Sequence, residues 1–132
     1  MNLKIYEVAT QQFLSGEVIH LSSDSVYLFL CTAISGFPVS LNLIGKTSNT
    51  VLYLSNNSYY MNTYWNTYGY STNMTFSLDF SNNQFENLTS VTCAANSATI
   101  FYYYNVSLEG NITQNVVVTK SGKRKLLHSN TN

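Results

Sequence analysis

Residues 73–80 read NMTFSLDF. Met74, Phe76, Leu78 and Phe80 alternate with Asn73, Thr75, Ser77 and Asp79. Side chains on an extended backbone point to opposite faces in turn, so this beat of two describes a half-buried strand and fits no helix. The beat recurs on both sides of the stretch. Phe37, Val39, Leu41 and Leu43 alternate with Pro38, Ser40 and Asn42, while Ile112, Gln114, Val116 and Val118 alternate with Asn111, Thr113 and Asn115. Residues 25–34 are β-branched and aromatic on both faces, the pattern of a central strand. Turn residues separate the runs at Ser35-Gly36, 45–50, 55–58, 81–83, 94–97 and 109–111. Strands are expected near 3–8, 16–21, 25–34, 37–44, 50–55, 59–68, 73–80, 88–94, 98–108 and 111–119. Such spacing predicts an all-β chain of about ten strands, a sandwich or a barrel.

The chain has 132 residues, enough for a single core and too few for a large α/β barrel or a two-domain enzyme. Only 9% are charged, six basic against six acidic, and 14% are aromatic, including eleven Tyr. Asn, Ser and Thr number 17, 17 and 14. That is neither a charged helical protein nor a disordered chain, which has few aromatics and a high net charge. Lys120, Lys123, Arg124 and Lys125 are four of the six basic residues. The expected division is therefore an acidic sandwich domain at 1–119 and a basic, flexible tail at 120–132. The tail is expected to be solvated or to dock on an acidic neighbouring subunit. Four charges give no strong case for nucleic acid.

The segment SNNSYYMNTYWNTYGYSTN, residues 55–73, is the most unusual feature. On a strand, Tyr60, Asn62, Tyr64, Asn66 and Tyr68 share one face; Tyr59, Met61, Thr63, Trp65 and Thr67 share the other. A ladder of phenols and amides is stiff, amphipathic and rich in donors and acceptors, which suits flat contact with protein or with sugar rings. An edge hairpin capping the core is the plainer alternative. In residues 98–108, Tyr102 and Tyr104 align with Ile100, Val106 and Leu108. That leaves Phe101 and Tyr103 on the opposite face, covered either by a second layer or by another copy.

Catalysis finds little support. His20 and His128 are the only histidines, and the acids Glu7, Glu17, Asp24, Asp79, Glu86 and Glu109 form no recognisable pair. The chain carries no phosphate loop, no nucleophile elbow and no His/Cys spacing for a metal. No cofactor is expected. Five glycosylation sequons begin at Asn56, Asn73, Asn87, Asn105 and Asn111, a number that abundant Asn, Ser and Thr bring about largely by composition. Residues 26–34 are the longest nearly apolar run, too short to span a bilayer. The first twenty residues carry Lys4, Glu7, Gln11 and Gln12 and no apolar run of signal-peptide length.

Cys31 in VYLFLCTAI and Cys93 in SVTCAA stand 62 residues apart. Composition alone leaves them either bridged or as two small buried thiols. Their spacing resembles that of an immunoglobulin-type domain over about residues 16–119, while a jelly roll fits the strand count equally well, so the expected fold is an all-β, antiparallel β-sandwich of about 8–10 strands, immunoglobulin-like or jelly-roll. The resemblance implies a Cys31–Cys93 bridge between two sheets. It departs from the family where a core Trp would stand, near Leu43 or Ile44, and where Val91 replaces the Tyr two residues before the second Cys.

These observations lead to the expectation of a non-enzymatic structural subunit of a virus particle or extracellular assembly: a coat, decoration, fibre or filament protein. A low-charge chain with spare phenolic surface lacks the repulsion that keeps proteins apart. The initiator Met without a secretion signal points to a virion protein. Partners would be copies of itself or other subunits, contacted through Tyr59, Tyr60, Asn62, Tyr64, Trp65, Asn66, Tyr68, Phe101 and Tyr103. The alternative is a carbohydrate-binding or adhesion domain in which Trp65 and neighbouring Tyr stack on glycans.

Overall fold

A computed structural model describes residues 1–35, 39–54, 59–66, 69–81, 83–96 and 110–120. Among them run ten strands: β1 (Asn2–Glu7), β2 (Gln12–Leu14), β3 (Val18–Ser22), β4 (Val26–Ser35), β5 (Ser40–Lys46), β6 (Val51–Tyr53), β7 (Tyr59–Asn66), β8 (Gly69–Asp79), β9 (Ser90–Asn96) and β10 (Gly110–Thr119). They form two five-stranded sheets. Sheet A has the order β2-β1-β4-β8-β7 and sheet B the order β3-β10-β9-β5-β6. Every pair is antiparallel except β3 with β10.

The expected sandwich is what the chain builds, two five-stranded sheets packed across one core. β1, β4, β8 and β7 lie side by side as the A, B, E and D strands of an immunoglobulin sandwich do, and β10, β9, β5 and β6 as G, F, C and C′. Cys31 in β4 and Cys93 in β9, each on the middle strand of its sheet, are disulfide-bonded with Cα atoms 6.2 Å apart. Leu43, the register partner of Cys93, and Val91 are both fully buried. Aliphatic side chains thus fill the places where immunoglobulin-type domains carry Trp and Tyr.

Alternation assigns the core. Tyr27, Phe29, Cys31 and Ala33 of β4 and Met74, Phe76 and Leu78 of β8 face inward, opposite Leu41 and Leu43 of β5 and Val91 and Cys93 of β9. Ile5, Ile19, Leu21 and Val116 complete the layer. One end is sealed by aromatic rings. Phe80 meets Tyr27 edge-on at 5.4 Å, stacks on Phe29 at 6.1 Å and touches Phe85 at 5.3 Å. Phe85 is delivered there by a single 3-10 turn, Asn83–Phe85. At Gly45 a Cβ would stand 2.7 Å from Leu88 Cδ2 and 3.1 Å from Leu54 Cδ1. Only glycine lets those two leucines close over β5.

Against the expected antiparallel pairing, β3 runs parallel to β10, and β8 begins at Gly69, ahead of the expected strand at 73–80. Two further departures have local causes. Strand β2 is three residues long and carries no alternation to read. It exists because residues 8–11 reverse the chain, with Gln11 at φ 58° and its N–H donating to the Glu7 carbonyl at 2.9 Å. The next strand begins at Val18 rather than at residue 16, because Gly16, at φ 138°, turns the chain from sheet A into sheet B. The strand expected at 98–108 lies outside the described residues.

Candidate interaction surface

The two outer faces differ sharply at their centres. On β9, the middle of sheet B, the outward residues are Ser90, Thr92 and Ala94. Thr92 and the Thr113 hydroxyl beside it are hydrogen-bonded at 2.8 Å. The exposed apolar residues of that sheet stand mostly on its flanks: Val18 on β3, and Val51 and Tyr53 on β6. On β4, the middle of sheet A, the outward row is Val26, Leu28, Leu30, Thr32 and Ile34. Ile34 is 60% exposed and the others are half-buried. This is the origin of the two-faced apolar run in residues 25–34: one face fills the core, and the other is presented outward.

Neighbouring strands extend the apolar surface. Tyr6 of β1 lies across from Leu28 and from Phe13 of β2. The Tyr6 and Phe13 rings meet at 5.0 Å, and Lys4 Nζ sits 5.7 Å from the centre of the Phe13 ring. On the other side, Leu30 pairs with Thr75, Thr32 with Asn73 and Ile34 with Ser71. These β8 residues pair in turn with Tyr60, Asn62 and Tyr64 of β7. Residues directly opposite in a sheet share a face. The register row of Lys4 and Leu30 continues through Thr75 to Tyr60 of the Tyr/Asn segment, while the row of Phe13, Tyr6 and Leu28 ends at Ser77 of β8. Lys4 and Asp79 are the charged residues on the described part of this face. The Asp79 carboxyl is held below its ordinary value by the N–H of Ser81, 3.0 Å away, and by the Ser81 hydroxyl.

The sequence-selected residues distribute as follows. Tyr59, Tyr60, Asn62, Tyr64 and Asn66 all lie on β7, an edge strand of sheet A. Trp65 falls on the alternate row, paired with Tyr70. It is 65% exposed and its ring meets Tyr70 edge-on at 5.0 Å. Tyr68, Phe101, Tyr103, Lys123, Arg124 and Lys125 lie outside the described residues. Lys120, expected to open the free tail, instead follows β10 directly and forms an ion pair with Glu86 of the same chain. The outward leucines Leu28 and Leu30 were not singled out as contact residues. Their signal is present in the sequence: a central strand apolar on both faces in a sandwich that can bury only one.

A concavity of about 350 Å³ lies where the chain crosses between the sheets, lined by Leu3, Ile5, Leu14, Ile19, Lys4 and Gln114 among others. Gln114 Nε2 donates to the carbonyls of Gly16 and Glu17 at 3.0 and 3.1 Å, which ties β10 to the crossing segment. Among the described residues no cluster of three or more His, Cys, Asp or Glu is placed to hold a metal ion, and no helix is long and apolar enough to cross a membrane. No family model and no curated protein matches the chain.

Proposed function

We propose that this protein is a non-enzymatic structural subunit that works by sheet-to-surface contact, in a virus particle or an extracellular assembly. The observation that carries the reading is the outward row of β4, with Leu28, Leu30 and Ile34 at the centre of sheet A's outer face. Contiguous apolar surface on a soluble chain marks a place where something binds. The polar row Ser71, Asn73, Thr75 and Ser77 of β8 separates it from β7, so apolar area and hydrogen-bonding groups lie on one sheet. Zero net charge removes the long-range repulsion that would oppose copies meeting. Light scattering on the purified chain at micromolar concentration tests this: a defined oligomer is expected, and a monomer at every concentration overturns it.

A second reading, glycan binding, draws on Trp65, exposed and edge-on to Tyr70. An exposed indole offers an apolar plate with a polar N–H, which suits a sugar ring. A glycan array probed with the chain and with Trp65→Ala decides it. Binding that Trp65→Ala abolishes supports the reading, and an array without hits removes it.

A further inference from the structure

Among the described strands, four stand at sheet edges. β2 and β6 have three residues each, β3 has five and β7 has eight. Natural sheets blunt their edges with short strands, lysines, prolines or bulges, because a long clean edge offers a row of N–H and C=O groups to another chain. β2 and β6 are blunted by length. β7, YYMNTYWN, contains neither Pro nor a charged residue, and no residue between Lys46 and Asp79 is charged. Its eight residues pair with β8 without a break, from Tyr59 opposite Phe76 to Asn66 opposite Gly69, so no bulge turns the strand aside. Among the described strands β8 is its one neighbour.

We propose that β7 pairs antiparallel with β7 of a second copy, about a twofold axis normal to sheet A, making one continuous sheet of the two. The inference rests on the assembly reading above and names its partner and geometry. A second copy is the occupant because self-pairing sets each residue opposite a residue of the same strand. In a charged strand that opposes like charges; in β7 it opposes none. Antiparallel partners must share a face, which limits the registers. The register with Asn62 opposite Asn62 of the second copy sets Tyr60 opposite Tyr64 and Tyr59 opposite Trp65. It matches amide with amide and aromatic with aromatic, the cross-strand combinations that stabilise sheets. The pairing is isologous and closes as a dimer. It also lays the two outer faces of sheet A side by side, so that their apolar rows become one larger surface.

A cysteine scan of residues 60–64 under mild oxidation, with Cys31 and Cys93 left bonded, tests the pairing. Asn62→Cys is expected to give the highest yield of disulfide-linked dimer. Tyr60→Cys and Tyr64→Cys are expected to cross-link with each other when mixed, more than either does alone. No cross-link at any of the five positions, or a maximum away from Asn62, overturns the proposal. Asn62→Lys supplies a second probe, because it sets two ammonium groups face to face. The dimer should weaken by about tenfold or more, and unchanged self-association overturns the pairing. If the wild-type chain associates but residue 62 neither cross-links nor responds to charge, the β7 pairing fails while the sheet-face reading stands. A monomeric wild-type chain defeats both.

Discussion

Tyr27 shows how one side chain joins core, turn and titration. Its ring lies in the aromatic seal against Phe80, while its hydroxyl accepts from the Ser22 N–H at 2.7 Å and faces Glu7 Oε2 at 3.4 Å. Burial pushes the phenol above its ordinary value of 10.0, the negative Glu7 adds to the rise, and the Ser22 N–H opposes it. A folded-state value raised above the unfolded one favours the protonated form. The contribution is therefore complete below about pH 10 and is lost as pH climbs through the folded value. Denaturant midpoints measured from pH 8 upward should fall in that alkaline range, and Tyr27→Phe should flatten the fall. At neutral pH the same variant removes the hydrogen bond from the Ser22 N–H to the phenol and should cost about 0.5–1.5 kcal/mol. Gly45 is the second sensitive residue. Gly45→Ala drives a methyl into Leu88 and Leu54, and overpacking of this kind costs about 1–3 kcal/mol; thermal melting reads it directly.

At the scale of elements, the strands that sequence resolves and those it misses differ in a physical way. β8 and β10 alternate because each has one inward and one outward row, and that contrast is written in NMTFSLDF and NITQNVVV. β4 is apolar in both rows, which identifies it as central but does not say what its second row meets. β2 carries no period at all; a left-handed Gln11 and the hairpin with β1 create it. Strand order was equally hidden, since pairings such as β4 with β8 and β5 with β9 join segments far apart in the chain. The cysteine spacing was the one long-range clue, because a covalent bridge fixes two distant strands at once. Removing it should be costly. A bridge closing a loop of 62 residues restricts the unfolded chain by about 4 kcal/mol. Cys31→Ala with Cys93→Ala should lower the unfolding free energy by about 2–5 kcal/mol, read by urea titration. A loss under about 1 kcal/mol would mean that the sheets hold without it.

For the whole molecule, the candidate surface was legible only in part. The Tyr/Asn segment drew attention by composition, and β7 does place it at an edge of sheet A. Leu28, Leu30, Tyr6 and Phe13 of the same sheet come from β1, β2 and β4, earlier in the chain and separated from it by β5 and β6 of the other sheet, so only folding assembles them with it. What distinguishes the two faces of the sandwich is the middle strand of each: Leu28 and Leu30 outward on sheet A, Ser90 and Thr92 outward on sheet B. The most direct measurement is therefore a paired one: molar mass by light scattering, across a concentration series, for the wild-type chain, Leu30→Lys on sheet A and Ile44→Lys on sheet B. The account predicts that Leu30→Lys, with its fold intact by circular dichroism, associates no further than the β7-paired dimer, while Ile44→Lys associates as the wild type does. Association beyond a dimer that survives Leu30→Lys, or that is lost only in Ile44→Lys, would contradict it.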